Sequence, residues 1–181
     1  MKKFIGAICA GVAGILTFIW LCLSWFAVKM TISGVEVEGM KASGWQIIAD
    51  KGLASGYEVE HLFSETFKGA YTAYKIIAII ALVAAALLAV MAVVMILKNL
   101  NVIKCKFNLS LVNNSLLSVL AIAAVALLVI LFLMGAGVIK ELGPGAEELA
   151  ATAVPQIGAW LTAVIAVVAC GCGWALARKD K

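Results

Sequence analysis

Residues 76–97 read IIAIIALVAAALLAVMAVVMIL, an apolar run with no charged side chain. A helix needs about 20 such residues to cross the hydrocarbon core of a bilayer. Three further runs, 4–28, 107–139 and 149–177, are equally free of charge and equally long enough. A soluble chain of 181 residues has no use for four such segments in its core. The fold that follows is an all-α membrane protein: an antiparallel four-transmembrane-helix bundle, with spans at about 4–28, 74–97, 112–139 and 155–177. All of 1–181 reads as a single integral membrane domain, with an outside cap at about 29–70.

Composition agrees. The chain is 65% hydrophobic, against about half in soluble domains, and its mean hydropathy is +1.11. Its net charge of +4 matters less than where the charges lie. Lys2, Lys3, Lys98, Lys104, Lys106, Arg178, Lys179 and Lys181 share one side of the spans with a single acid, Asp180. Segments 29–75 and 140–148 carry six basic residues and nine acids. Short loops rich in Lys and Arg stay in the cytoplasm. Both termini are therefore expected there, in a multi-pass protein of the plasma membrane. These short basic anchors form no continuous face, which speaks against nucleic acid as a partner. The first run is too long for a signal peptide and no Ala-x-Ala site follows it, so it reads as an uncleaved span. Of five cysteines, Cys9, Cys22, Cys170 and Cys172 fall within spans and Cys105 in the inner loop. None falls in an outside loop where a disulfide would form.

The cap carries local patterns. Val28, Met30 and Ile32 alternate with Lys29 and Thr31; after Ser33-Gly34, Val35 and Val37 alternate with Glu36 and Glu38. Two alternating runs joined by Ser-Gly predict an extracellular β-hairpin. Pairing Ile32 with Val35 sets Met30 opposite Val37 and Lys29 opposite Glu38, leaving one face apolar. The bundle, or a third strand near 39–44, would support that hairpin, since a lone one is marginal. Ser43-Gly44-Trp45-Gln46 is a capping box opening a short helix over 45–51, ended by Gly52. Ser55-Gly56-Tyr57-Glu58 opens a longer one, with Val59, Leu62, Phe63 and Phe67 on an apolar face that continues into span two. Tyr71 and Tyr74 suit the interfacial belt, with Lys75 snorkelling outward. Pro155 suits the first turn of span four or a kink near it.

Within the spans, small residues recur at close steps: Gly6, Ala10 and Gly14; Ala81, Ala85 and Ala89; Ala159, Ala163 and Ala166. Such stripes let helix backbones approach one another. Chemistry-bearing groups are scarce. The spans offer hydroxyls and thiols such as Thr17, Ser24, Ser118 and Thr162, and no HExxH, GxSxG, P-loop or CxxC is present. No catalytic set, metal site or cofactor site is expected. His61 is the sole histidine, and with Glu58, Glu60 and Glu65 it forms the wet face of the cap helix. Charged groups at mid-membrane mark ion-coupled transport, and none is found.

Trp25 at the end of run one, followed by Gly44-Trp45 about twenty residues on, resembles a pattern of the claudin and peripheral-myelin-protein superfamily. That superfamily also has four spans, inside termini and a larger, β-rich first outside loop. The layout is similar, too, to that of small bacterial four-span membrane proteins. Here the loop lacks the family's paired cysteines, and Gly44-Trp45 replaces Gly-Leu-Trp. The resemblance implies that Trp25 and Trp45 pack where hairpin meets bundle; it does not imply barrier or paracellular-channel activity.

The expected function is non-enzymatic. The chain would act through contacts made by its cap, with another membrane protein or with copies of itself. Glu58, Glu60, His61 and Glu65 would be the contact residues, and Trp25, Met30, Ile32, Val35, Val37, Gly44 and Trp45 the frame of the cap. The alternative is a subunit of a transporter or channel whose polar pathway forms only between subunits.

Overall fold

The computed structural model describes residues 2–32, 35–49, 68–104, 108–141 and 152–179. In chain order these form α1 (Lys2–Leu21), β1 (Ser24–Ile32), β2 (Val35–Ser43), α2 (Gly44–Ile48), α3 (Lys68–Asn99), α4 (Leu109–Glu141), β3 (Thr152–Pro155) and α5 (Ile157–Lys179). Four of these helices, α1, α3, α4 and α5, are long and apolar enough to cross a membrane, as a multi-pass membrane protein requires.

Each long helix buries one stripe at alternating three- and four-residue steps. In α3 it runs Tyr71, Tyr74, Ala78, Ala81, Ala85, Leu88 and Ala92; in α4 it runs Asn113, Leu117, Leu120, Ala124, Leu127, Leu131 and Met134. This is the spacing of knobs-into-holes packing. Side chains off the stripe, such as Ile8, Val90, Ile122 and Val168, are exposed, as expected where lipid is the surrounding solvent.

Helix ends follow from local chemistry. Asn101, at φ 59°, ends α3 in the left-handed conformation that asparagine tolerates. Its amide reaches Lys98 O and the Val102 amide reaches Leu97 O, both at 3.0 Å, which satisfies two terminal carbonyls. Asn108 caps α4, its Oδ1 accepting from the Leu111 amide at 3.3 Å. The capping box at Ser43 is formed: Ser43 Oγ accepts from the Gln46 amide and Gln46 Oε1 from the Ser43 amide. The short helix it opens ends at Ile48, with Ala49 in a turn, so it is shorter than the predicted 45–51. Gly52 and the second capping box, Ser55 to Glu58, lie outside the described residues.

The hairpin register is the one the alternation predicts: Ile32 faces Val35, Met30 faces Val37 and Lys29 faces Glu38. Two features of the sheet differ from the sequence reading. First, run one does not stay helical to residue 28. α1 stops at Leu21, and Ser24–Ile32 is the central strand of a sheet ordered β2-β1-β3. Trp25, Phe26 and Ala27 are all buried, as on a strand covered on both faces, so an uninterrupted apolar run here encodes a strand. Second, residues 39–43 do not form a third strand but prolong β2, past a shift in register that leaves Gly39 opposite no residue of β1. The third strand is Thr152–Pro155 from the second loop, with Phe26 opposite Pro155 and Lys29 opposite Thr152. Pro155 therefore ends a strand instead of opening span four; it sits at a sheet edge, where a missing N–H costs no ladder bond.

The chain divides into two compact units, one of Met1–Ile19, Ile79–Ala124 and Thr162–Lys181, the other of Trp20–Ala78 and Val125–Leu161. In the first, α1 and α3 are antiparallel neighbours in close approach. A Cβ on Gly14 would fall 2.6 Å from Ala85 O, and one on Gly11 would fall 3.3 Å from Ala92 Cβ. The small residues at these positions are what allow that approach. The second unit contains the sheet.

Candidate functional site

The second unit is organised around Trp25. Its side chain is 2% exposed, so its indole N–H must find a partner. It does: Nε1 donates to Trp20 O at 2.8 Å. Its backbone carbonyl accepts from the Gln156 amide at 2.8 Å, tying the end of β3 to the start of β1. The indole meets Tyr74 edge-on, with ring centroids 6.5 Å apart and planes at 88°. Gly44 and Gly158 line the indole. A Cβ on Gly44 would stand 3.1 Å from Trp25 Cε2, and one on Gly158 would stand 2.6 Å from Trp25 Cδ1. One side chain thus joins β1, α2, α3 and the start of α5.

Of the other frame residues, Met30, Ile32, Val35 and Val37 have the paired backbone given above, and their side chains lie outside the described set. Trp45 does not pack inward. It is 39% exposed, whereas Ile47 of the same helix is 2% exposed. The turn of α2 puts the two on different faces, and Gly44 and Ile47 are the buried residues of the helix. Glu58, Glu60, His61 and Glu65, the expected contact residues, lie outside the described residues, as does Cys105.

Two tyrosines overturn an expectation. Tyr71 and Tyr74 do not lie in an exposed interfacial belt; they are 3% and 0% exposed. Tyr71 Oη donates to Ile47 O at 3.1 Å, pinning α2 to α3, and Lys75 Nζ sits 4.6 Å from the centre of the Tyr71 ring. A carbonyl at a helix end offered Tyr71 a protein partner, and burial beside Trp25 did the same for the Tyr74 ring. Tyr74 Oη and Ser24 Oγ are buried without a hydrogen-bond partner.

In the first unit, Thr17 and Ser118 each donate to a carbonyl of their own helix. Thr17 Oγ1 donates to Ala13 O at 2.7 Å. Ser118 Oγ donates to Asn114 O at 2.9 Å, receives Trp174 Nε1 at 3.0 Å and lies 3.5 Å from Cys170 Sγ. Cys9 is half-buried and Cys172 exposed. Asn113 and Asn114, which no motif in the sequence marks, are buried as well, at 2% and 3% exposed. Asn113 Oδ1 has no hydrogen-bond partner, and a Cβ on Gly173 would fall 2.8 Å from Asn114 Oδ1. Among the described residues no three His, Cys, Asp or Glu side chains stand close enough together to hold a metal ion.

Comparison with protein-family models, with curated proteins and with solved structures gives no match to this chain.

Proposed function

We propose that this chain is a non-enzymatic four-span membrane protein that acts through protein–protein contacts made by its cap, as an accessory or scaffold subunit or as a homo-oligomer. In this reading the four helices form an antiparallel bundle in the plasma membrane. The termini are cytoplasmic, and residues 29–70 and 140–154 lie outside. The layout shared with the claudin and peripheral-myelin-protein superfamily fits the same reading. One observation carries it: both loops of the cap side contribute to one sheet, with β3 of the second loop paired to β1 of the first and Trp25 locked beneath them. A loop pair stapled in this way is a rigid platform, and rigid platforms lower the ordering cost of binding. Purification of the tagged chain in mild detergent, with mass spectrometry of what remains bound, tests the proposal. A stoichiometric membrane partner or a discrete homo-oligomer is expected. A monomer without partners, at native expression level, counts against it.

The alternative, a subunit of a transporter or channel whose polar path forms between subunits, draws on a different observation. Asn113 buries an unpartnered carbonyl oxygen inside a span, and intramembrane polar groups tend to be functional. Currents or flux from the purified oligomer, lost in Asn113→Leu, would favour that reading.

A further inference from the structure

The short helix α2 is fastened where two spans end. Gly44 packs on Leu21, the last residue of the apolar span Phe4–Leu21; a Cβ there would stand 2.7 Å from Leu21 Cδ2. On its other side, Ile47 O receives the hydroxyl of Tyr71, which sits in the first turn of the span Gly69–Asn99. The two fastenings set α2 at the depth where hydrocarbon gives way to headgroups on the cap side. Lys75 agrees with that depth, since its ammonium lies over the Tyr71 ring, as a lysine near a span end does when its charge reaches back toward the boundary. The buried face of α2 is Gly44 and Ile47, and Trp45 projects from the other side, 39% exposed. Trp160, in the first turn of α5, is exposed to a similar degree at 46%. Tryptophan is the side chain most at home at this boundary, because its ring prefers the acyl region while its N–H prefers headgroup and water.

We propose that α2 is a membrane-docking element: Trp45 inserts into the headgroup–acyl boundary of the leaflet on the cap side, so that lipid holds the cap alongside Trp25. The helix is too short to bind a membrane by its own amphipathicity; its anchorage to Leu21 and Tyr71 positions the single tryptophan. The inference rests on the four long helices spanning a bilayer and is independent of what the cap recognises.

The test uses the full chain, free of native cysteines, in nanodiscs of phosphatidylcholine and phosphatidylglycerol. A nitroxide is placed in turn at positions 45, 160 and 36, the last on β2 next to the hairpin turn. Collision with oxygen, which concentrates in the bilayer, and with a water-soluble nickel chelate gives the depth of each. Oxygen access relative to nickel is expected to be several-fold higher at 45 than at 36, approaching that at 160. In vesicles of brominated phosphatidylcholine, the unlabelled native protein should lose a quenchable emission component on Trp45→Phe. Nickel-dominated access at 45 with lipid access at 160 overturns the docking role alone, placing Trp45 in water. Low access to both reagents at 45 also overturns it, because a protein partner or second copy then covers the ring. Nickel-dominated access at 160 as well removes the membrane frame on which the inference stands.

Discussion

Gly158 lies so close beneath Trp25 that a Cβ on it would stand 2.6 Å from the indole Cδ1 and 2.8 Å from Ser24 O. The second of these neighbours is backbone, which cannot rotate away. At Gly44 the tightest neighbour is the end of the Leu21 side chain, at 2.7 Å, and that end can turn. Overpacking a filled site costs about 1–3 kcal/mol. Gly158→Ala is therefore expected at the upper end of that range and Gly44→Ala below it. Thermal unfolding in detergent, followed by tryptophan emission, ranks the two, and the reverse order would show that the indole is not held as described.

The α1–α3 contact makes a parallel case with an internal control. A Cβ on Gly14 would meet Ala85 O at 2.6 Å, whereas those on Gly69 and Gly171 would meet nothing within 4 Å. Gly14→Ala should lower stability by about 1–3 kcal/mol. Gly69→Ala and Gly171→Ala should be neutral or stabilising by up to about 1 kcal/mol, since alanine is the better helix former. Equal losses at all three positions would mean that backbone approach does not limit Gly14.

Topology is open to a direct measurement. Single cysteines at Glu36 and Glu147, in a background without native thiols, should react with an impermeant maleimide on intact cells, and those at Lys2 and Lys181 should not. The inverse pattern would reverse the orientation inferred from the Lys and Arg asymmetry.

The hairpin face has its own test. Met30 opposite Val37 and Lys29 opposite Glu38 fix the register, and the alternation assigns Met30 to the covered face. An exposed ion pair contributes only about 0.2–1 kcal/mol, so Lys29→Ala should be mild. Met30→Asp should be markedly worse, because it buries a charge. Thr31→Asp as damaging as Met30→Asp would show that the faces are exchanged.

How far the sequence carries can be judged from individual residues. The four apolar helices are legible because a bilayer demands long uncharged runs and little else imitates them. The hairpin register is legible because a slip of one residue would move every apolar side chain to the other face. The end of α1 at Leu21 is not legible, since a buried helix and a central strand both read as unbroken apolar sequence. Nor is β3, whose four residues have a partner more than a hundred positions away and no pattern of their own. Tyr71 and Tyr74 mislead for a chemical reason: a phenol is satisfied equally by headgroups or by a carbonyl such as Ile47 O, and only tertiary packing decides. Gly158 carries no local signal, because its role is set by the indole that lies against it. The proposed contact residues Glu58, Glu60, His61 and Glu65 rest on helical spacing in the sequence alone.

Those contact residues give the decisive functional experiment. Within the described spans, the hydroxyls of Thr17 and Ser118 bond to their own helix backbone, while the cap is patterned and acidic. Association should then depend on the cap surface and not on groups within the membrane. Reversing Glu58, Glu60 and Glu65 together to Lys should leave insertion and folding intact, because surface changes move stability by less than about 0.5 kcal/mol each. The same reversal should weaken recovery of the partner or homo-oligomer, most at low salt, where charges at an interface rim act over the longest range. The comparison variant replaces Cys9, Cys170 and Cys172 by Ala. It should retain association, since none of the three thiols belongs to the cap surface: Cys170 lies against Ser118 and Cys9 is half-buried. Co-purification yield measured for both variants at two salt concentrations separates the outcomes. Association unchanged by the acid reversal but lost with the thiols would place the functional surface at the thiols and the contact between α4 and α5, and not on the cap.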